Sequence, residues 1–230
     1  MENTFSEQTA KEYSYFVFFD IDRTITRTIS GKALAMAAFQ KKLMSRTELM
    51  KALYVSLAYK LNLKDPVKVI NDMVSWVKGL PEKAMDDLCS GVVREDLLPS
   101  INSEARSEIK EHKEKNAKLI ILSSSLLPVC RELASSLGMD DYLCSCLEAE
   151  NGFLTGKTKG PLCFGEEKSV RLLAYCEKNN TRPSEAWYYG DSISDIHALT
   201  SVGNPVCVNP DRQLRKAAIS RGWKIVRWNS

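Results

Sequence analysis

The sequence is poor in the residues that build zinc sites. It has only two histidines, His112 and His197, and none of its seven cysteines belongs to a Cys-x-x-Cys pair. Because structural zinc is bound by clusters of cysteine and histidine, we expect no zinc site. We interpret the odd number of cysteines as reduced, mostly buried thiols of a cytoplasmic protein. His112 stands in a charged run and is predicted to lie at the solvated surface, while His197 is predicted to be structural or exposed.

Long apolar runs and a strong charge bias are also lacking. No run approaches the about 18 apolar residues that a transmembrane helix needs, and residues 1–8 are polar and acidic, unlike a signal peptide. The net charge is only +3 with both signs well mixed, whereas nucleic-acid binding would favour a clustered basic face. We therefore expect a cytoplasmic protein without a transmembrane segment or a nucleic-acid partner. Nothing in the composition indicates an oligomeric state.

One apolar run near the start of the chain ends in two acidic residues. The five residues Tyr15–Phe19 are aromatic or β-branched and predict a buried strand. Asp20 and Asp22 follow at once, although a buried carboxylate is costly unless it is paired or bound to a cation. In an open α/β sheet, ligands bind at the carboxyl ends of the strands. Asp20 and Asp22 are therefore the starting point of a candidate site.

Strand-like and helix-like patterns alternate over most of the remaining chain. This alternation predicts a parallel sheet with helices on both faces. Asn151-Gly152 is typical of a hairpin turn, and Gly138 is typical of a helix end. The predicted strands cover residues 13–19, 118–122, 142–148, 186–189, 205–208 and 224–226, and the predicted helices outside the segment described next cover 102–115, 126–137, 165–178 and 211–221, with a short helix near 195.

The segment 32–95 has a different character. It contains no strand-like run, and its apolar residues recur at helical spacing, as in Leu49, Leu53, Leu57 and Leu61. This pattern predicts about four helices placed between two α/β segments. We interpret the block as a helical lid that gates a site after the first strand. The alternative is an ordinary helical subdomain without a gating role.

Polar residues at several predicted strand ends and helix starts could converge on one site. A carboxylate can attack phosphorus as a nucleophile. Mg²⁺, which takes oxygen ligands, would neutralise the repulsion between that carboxylate and the phosphate, and a hydroxyl and an ammonium would bind the remaining phosphate oxygens. The residues in question are Asp20 and Asp22, Ser123, Lys168, Asp191 and Asp195.

These residues, in this order, resemble the four motifs of the haloacid dehalogenase superfamily. The motifs are Asp20-Ile21-Asp22-Arg23-Thr24, the strand ending at Ser123, Lys168, and Gly190-Asp191-Ser192-Ile193-Ser194-Asp195. Residues 147–156, 160–168, 203–205 with 209–211, and 222–223 resemble the subfamily IB hydrolases, which include phosphoserine phosphatases. The resemblance implies an α/β fold, a Rossmann-like core with a parallel sheet and a helical C1-type cap inserted after the first strand. The implied boundaries are 1–28 and 98–230 for the core and 29–97 for the cap.

The resemblance also implies catalytic and metal-binding roles. Asp20 resembles the nucleophile that becomes a phosphoaspartate. Asp22 resembles the general acid for the leaving alcohol and then the base for the hydrolytic water. Mg²⁺ is the implied cofactor, with Asp20, the backbone carbonyl of Asp22 and Asp191 as ligands. Asp195 is implied to support the metal directly or through water.

The remaining implied roles concern phosphate binding and the loop after the nucleophile. Ser123, Ser124 and Lys168 resemble the groups that bind the phosphate, and Thr24 would fix the loop. Each residue also has a structural alternative. Ser123 or a neighbouring serine could cap the next helix, Lys168 could be a solvated helix residue, and Asp195 could be a helix N-cap.

Two departures from the family pattern bear on the substrate. Arg23 stands where small residues are frequent, and it could face the cap, an anionic substrate or solvent. Residues 26–30 contain no acid, whereas phosphoserine phosphatases carry a glutamate there that senses the substrate amine. Phosphoserine is thereby disfavoured as the substrate.

The expected function is Mg²⁺-dependent hydrolysis of a small-metabolite phosphate through a phosphoaspartate. Asp22 favours a phosphatase over a dehalogenase, because an alkoxide leaving group needs a proton and a halide does not. The expected partner is a phosphorylated small molecule. The alternatives are a lipid phosphate such as phosphatidylglycerophosphate, reached through an amphipathic helix over residues 47–64, a phosphotransferase, and a non-catalytic binding or regulatory protein of the same fold.

Overall fold

A six-stranded parallel sheet forms the centre of the molecule. The computed structural model describes residues 13–60 and 74–228. The strand order is β3-β2-β1-β6-β7-β8, and all five neighbouring pairs are parallel. The strands are β1 (Phe16–Phe19), β2 (Lys118–Leu126), β3 (Asp141–Ser145), β4 (Leu147–Glu150), β5 (Phe153–Thr158), β6 (Trp187–Gly190), β7 (Asn204–Val208) and β8 (Lys224–Val226), of which β4 and β5 form a separate hairpin.

The apolar run of β1 is buried on both sides of this sheet. Val17 and Phe19 belong to one buried cluster of the core, and Phe16 and Phe18 belong to the other. Successive side chains of a strand point to opposite faces, so a central strand covered by helices on both faces needs apolar residues at every position. The sequence-based prediction of an α/β fold with a parallel sheet is confirmed.

The helices lie close to their predicted positions. The left-handed Gly138, with φ of 63°, ends its helix as expected. The predicted hairpin turn is also present, with Asn151 and Gly152 at φ of 52° and 81°. The helices are α1 (Ser30–Gln40), α2 (Arg46–Lys60), α3 (Glu82–Val92), α4 (Ser103–Glu114), α5 (Leu127–Leu137), α6 (Glu166–Lys178), α7 (Ile196–Thr200) and α8 (Arg212–Arg221).

The helical insert lies in the chain between β1 and β2. It contains α1, α2 and α3, followed by a π-helical turn at Val93–Leu97. Helix α3 packs against both α1 and the core helix α5. Leu61, the last leucine of the predicted stripe, and the end of the helix predicted for 47–64 lie outside the described residues. The boundaries at 28/29 and 97/98 stay predictions.

The β4–β5 hairpin contacts the insert through its backbone. Gly79 N–H donates to Leu154 O, and Leu154 N–H donates to Leu80 O, both at 2.8 Å. Glu82 N–H donates to Gly152 O at 3.0 Å. A hairpin that follows the core strand β3 thus pairs edge to edge with the chain that leads into α3.

Two predictions of local structure are wrong. His112 is only 4% exposed, because it continues the inner face of α4 that Ala105 and Ile109 begin. The chain from 142 to 148 is not one strand, because it leaves the sheet between Ser145 and Leu147 and divides into β3 and β4. His197 is exposed, which is one of the two alternatives predicted for it.

None of the cysteines, all of which lie within the described residues, is in a disulfide bond. All seven cysteines have free thiols, and only Cys146 is not fully buried. Within the described residues, no helix combines the length and the apolar character that crossing a bilayer requires.

Candidate active site

Three buried carboxylates meet at the carboxyl edge of the sheet. Asp20 follows β1, and Asp191 follows the neighbouring strand β6, so parallel pairing brings the two side chains together. Asp195 joins them from the short helical turn after Asp191. One oxygen of each carboxylate lies within 4.8 Å of the others. The edge predicted from the sequence therefore brings three carboxyl groups together.

Lys168 supplies a buried positive charge to this cluster. It lies in the first turn of α6 and its side chain is 3% exposed. Its Nζ donates to Asp20 Oδ1 at 2.8 Å and to Asp195 Oδ1 at 2.7 Å. Lys168 is therefore not the solvated helix residue of the alternative interpretation.

Tyr188 is a member of the site that sequence reasoning missed. It is fully buried on β6, and its hydroxyl accepts from Lys168 Nζ at 3.1 Å and donates to Asp195 Oδ1 at 2.8 Å. We interpreted the residue only as part of an apolar strand. Its hydroxyl group could have indicated a polar role, because a buried tyrosine hydroxyl usually has a hydrogen-bond partner.

Gly190 makes room for Asp195. A Cβ atom at this position would lie 2.8 Å from Asp195 Oδ2 and 2.8 Å from Tyr188 Cε1. Asp195 also accepts from the Ser192 backbone N–H at 3.3 Å and closes a capping box with Ser192. Ser192 is thus the N-cap and Asp195 the third residue of this turn, so the alternative of Asp195 as an N-cap that bonds through its side chain is not what the structure has.

The electrostatics of the cluster favour a bound cation. Burial, together with the charges of Asp195 and Asp22, raises the pKa of Asp20 to about 7, although Lys168 lowers it. Burial, followed by the charge of Asp20, raises the pKa of Asp191 to about 9. Burial alone would lower the pKa of Lys168, but Asp195 and Asp20 outweigh it and hold that pKa well above its usual value. One ammonium group does not neutralise these carboxylates.

The side chain of Asp22 points to the first helix of the insert. Ser30 N–H donates to Asp22 Oδ1 at 2.8 Å, and Ser30 Oγ donates to Asp22 Oδ2 at 3.1 Å. Burial raises the pKa of Asp22, while the two hydrogen bonds from Ser30 lower it. The side chain is outside the group of three carboxylates, which is compatible with the prediction that Asp22 binds metal through its backbone carbonyl.

The predicted phosphate-binding serines differ in exposure. Ser123 is fully buried within β2, whereas Ser124 is exposed. Ser123 Oγ donates to Ser125 Oγ at 3.3 Å. The N-cap of α5 is Leu126, so Ser123 does not cap that helix.

The loop after Asp20 is held by its backbone. Thr26 N–H donates to Ile21 O at 2.9 Å, and Asn102 Nδ2 donates to Thr24 O at 2.9 Å. The hydroxyl of Thr24 is buried and has no hydrogen-bond partner within residues 13–60 and 74–228, so the loop-fixing role of that hydroxyl stays a prediction. Arg23 is exposed and has a left-handed backbone, with φ of 61°.

A cavity of about 470 Å³ lies in the insert between α1 and α3. Its wall includes Ile29, Met36 and Val92, together with the exposed cations Arg27 and Lys32. None of the buried carboxylates lines it. The candidate active site is therefore the carboxylate cluster rather than this cavity.

Curated proteins of similar sequence include named phosphatases. The chain is 26% identical over 221 residues to a probable phosphatase of Mycobacterium tuberculosis, covering 95% of this chain and 77% of that protein. It is 25% identical over 214 residues to a phosphoserine phosphatase of the same species, covering 90% and 69%. The resemblance to phosphoserine-phosphatase-like hydrolases inferred from the motifs is confirmed.

Solved structures share the fold. A protein of unknown function from Bordetella pertussis superposes with a TM-score of 0.83 at 19% identity, covering 94% of this chain and 99% of that one. A phosphoserine phosphatase with an analogue of its phospho-aspartyl intermediate superposes with a TM-score of 0.71 at 16% identity, covering 96% and 95%. The family model of the haloacid dehalogenase-like hydrolases matches residues 17–200, which contain every candidate site residue described above. The chain belongs to the haloacid dehalogenase-like hydrolases.

Proposed function

We propose that this chain is a Mg²⁺-dependent phosphomonoester hydrolase that works through a phosphoaspartate at Asp20. The observation that carries the proposal is the buried cluster of Asp20, Asp191 and Asp195, in which Lys168 Nζ lies 2.8 Å from the candidate nucleophile. The names of two relatives, a probable phosphatase and a phosphoserine phosphatase, support the same reaction class.

The donor set fits Mg²⁺. Carboxylate oxygens are hard ligands, and Mg²⁺ is usually held in proteins by one or two carboxylates together with substrate phosphate. Asp20, Asp191 and the backbone carbonyl of Asp22 would bind the ion, with Asp195 supporting it. The bound ion would supply the charge that lets an anionic carboxylate approach a phosphate. The raised pKa values of Asp20 and Asp191 support this assignment, because burial and the neighbouring carboxylates disfavour the charged forms by more than Lys168 compensates.

The proposed reaction has two steps. First, an oxygen of Asp20 forms a bond to phosphorus while the bond from phosphorus to the ester oxygen breaks, and the protonated carboxyl of Asp22 gives its proton to the leaving oxygen. Second, a water oxygen forms a bond to phosphorus while the bond from phosphorus to the Asp20 oxygen breaks, and the Asp22 carboxylate takes the proton of that water, which releases phosphate, frees the Asp20 carboxylate and leaves Asp22 protonated again. Ser123, Ser124 and Lys168 would bind the phosphate oxygens in both steps.

The substrate that we propose is a small-metabolite phosphate, and phosphoserine is not favoured. Residues 26–30 read Thr-Arg-Thr-Ile-Ser, without a carboxylate for a substrate amine. A lipid phosphate such as phosphatidylglycerophosphate is the second candidate. It is favoured by the exposed surface of α2, where Met50 is 65% exposed and Tyr54 is 60% exposed.

A panel of phosphomonoesters tests the proposal. Soluble metabolite phosphates and phosphatidylglycerophosphate in mixed micelles are assayed with Mg²⁺ and with excess EDTA, using the wild type, Asp20→Asn and the exposed control Asp87→Asn. We expect Mg²⁺-dependent turnover of a soluble ester, a loss of more than about 1,000-fold in Asp20→Asn, and no change in Asp87→Asn. Preference for the micellar substrate would favour the lipid alternative. Full activity in Asp20→Asn would contradict the nucleophile, and an inactive wild type would favour a non-catalytic binding protein.

A further inference from the structure

The first helix of the insert is bound to the candidate general acid. The N-cap residue of α1 is Ile29, whose side chain cannot accept a hydrogen bond. Asp22 takes this place from eight residues earlier, because both of its carboxylate oxygens accept from Ser30, from the backbone N–H and from Oγ. Two hydrogen bonds to two oxygens of one carboxylate define the plane in which that group lies.

Ser30 is in turn connected to the core. Its Oγ lies 2.7 Å from Ser125 Oγ, and Ser123 Oγ donates to Ser125 Oγ at 3.3 Å. Since Ser30 gives its hydroxyl proton to Asp22, the proton between Ser30 and Ser125 must come from Ser125. The three hydroxyls then donate in one direction, from Ser123 through Ser125 and Ser30 to Asp22.

This chain of hydroxyls is shielded from solvent. Ser123 is fully buried, Ser30 is 4% exposed and Ser125 is 7% exposed. Water therefore has little access to replace a lost hydroxyl, and a buried polar partner left unpaired is costly. The structure thus joins the two ends of the proposed reaction, proton donation at Asp22 and phosphate binding at Ser123, through two serines that the family motifs do not include.

We propose that Ser30 and Ser125 are positioning residues for proton transfer to the leaving group. Ser30 holds the Asp22 carboxyl in the orientation that reaches the ester oxygen, and Ser125 holds the hydroxyl of Ser30. The inference rests on the proposed function, because it assigns a partner to the general acid of that reaction. It also explains why α1 begins at Ser30, although Ile29 supplies no cap of its own.

The test uses two esters that differ in their need for an acid. Release of p-nitrophenolate requires little protonation, whereas release of an alkoxide from an alkyl phosphate requires much. For each variant we take kcat/KM for the alkyl ester divided by kcat/KM for p-nitrophenyl phosphate. A change in phosphate binding or in the amount of folded enzyme affects both esters equally and cancels in this ratio, so the ratio isolates the proton transfer.

The order of the hydroxyl groups, from Ser123 through Ser125 and Ser30 to Asp22, determines the expected results. Ser30→Ala lowers the ratio by about 10- to 100-fold, because a charge-assisted hydrogen bond to Asp22 is lost. Ser125→Ala lowers it less, and the double variant is no worse than Ser30→Ala, because Ser125 acts through Ser30. Ser30→Thr retains the hydroxyl and restores the ratio, and the exposed Ser136→Ala leaves it unchanged. In an Asp22→Asn background, Ser30→Ala has no further effect on the ratio.

Each of the remaining outcomes contradicts either the inference or the proposed function. An equal loss for both esters in Ser30→Ala, with an unchanged ratio, would show a purely structural role and would refute the inference while leaving the proposed function intact. A lowered ratio in Ser30→Ala that Asp22→Asn does not abolish would show that Ser30 acts on another group. If the wild type hydrolyses neither ester, or if Asp20→Asn retains activity, the proposed function fails and the inference fails with it. Thermal denaturation of every variant reports its folded fraction.

Discussion

Removing the buried ammonium of Lys168 should destabilise the fold through the carboxylates that it leaves behind. In Lys168→Met, Asp20 and Asp195 lose the partner that lies 2.8 and 2.7 Å away, at a position with 3% exposure. Removing one member of a buried ion pair costs about 3–5 kcal/mol. We expect a loss of that size in the free energy of unfolding at pH 8, measured by urea denaturation in EDTA.

The loss should be smaller at pH 5. The pKa of Asp20 is about 7 while Lys168 lowers it, so without Lys168 the carboxyl is protonated over a still wider pH range and its burial then costs little. Lys178→Met, at the exposed end of the same helix, is the matched control and should change stability by less than about 0.5 kcal/mol. A loss below about 1 kcal/mol at pH 8, or an equal loss at both pH values, would refute the reasoning about unpaired buried charge.

Three further perturbations address the same cluster. Tyr188→Phe removes the hydroxyl that bridges Lys168 and Asp195 and should cost about 1–3 kcal/mol in urea denaturation; an unchanged midpoint would contradict the bridge. Gly190→Ala places a Cβ atom 2.8 Å from Asp195 Oδ2 and should lower the free energy of unfolding by about 1–3 kcal/mol. It should also weaken the stabilisation by Mg²⁺ measured by thermal denaturation. Undiminished stabilisation by Mg²⁺ would show that Asp195 can move without affecting metal binding. The metal-free wild type should lose stability as the pH rises from about 4 to about 9. The folded pKa values of Asp20 and Asp191, about 7 and about 9, lie above the ordinary aspartate value of 3.8, so the folded state retains protons that the unfolded chain has released. Saturating Mg²⁺ should flatten this pH dependence, and stability that rises with pH would contradict the raised pKa values.

The location of the site followed from local patterns. The apolar run before Asp20 predicted a buried strand, and parallel strands bring their carboxyl ends to one edge, so Asp20 and Asp191 were expected at the same edge of the sheet. That β1 and β6 are neighbours in the sheet came from the structure. Helix ends with a local signal, such as Gly138, were equally accessible. These features depend on residues close in the chain or on a general rule of sheet topology.

The partners of buried polar groups could not be predicted in this way. The two ring nitrogens of the buried His112 each lie 2.8 Å from a tyrosine hydroxyl, of Tyr15 and Tyr189, and these residues are 97 and 77 positions away. Ser30 meets Ser125 across 95 positions. Periodicity indicates which face of a helix is apolar, but it carries no information on which distant hydroxyl completes that face. The same limit explains why Tyr188 was assigned to the strand and not to the site.

The pairing of the β4–β5 hairpin with the chain before α3 restricts how the insert can move. An insert joined to its core by two linkers can rotate as a unit, but here Gly79, Leu80 and Glu82 form a third attachment through main-chain hydrogen bonds. Any opening that preserves these bonds must keep α3 with the core and displace α1 and α2. Helix α1 begins at Ser30, so an opening of this kind would also have to break the hydrogen bonds between Ser30 and Asp22.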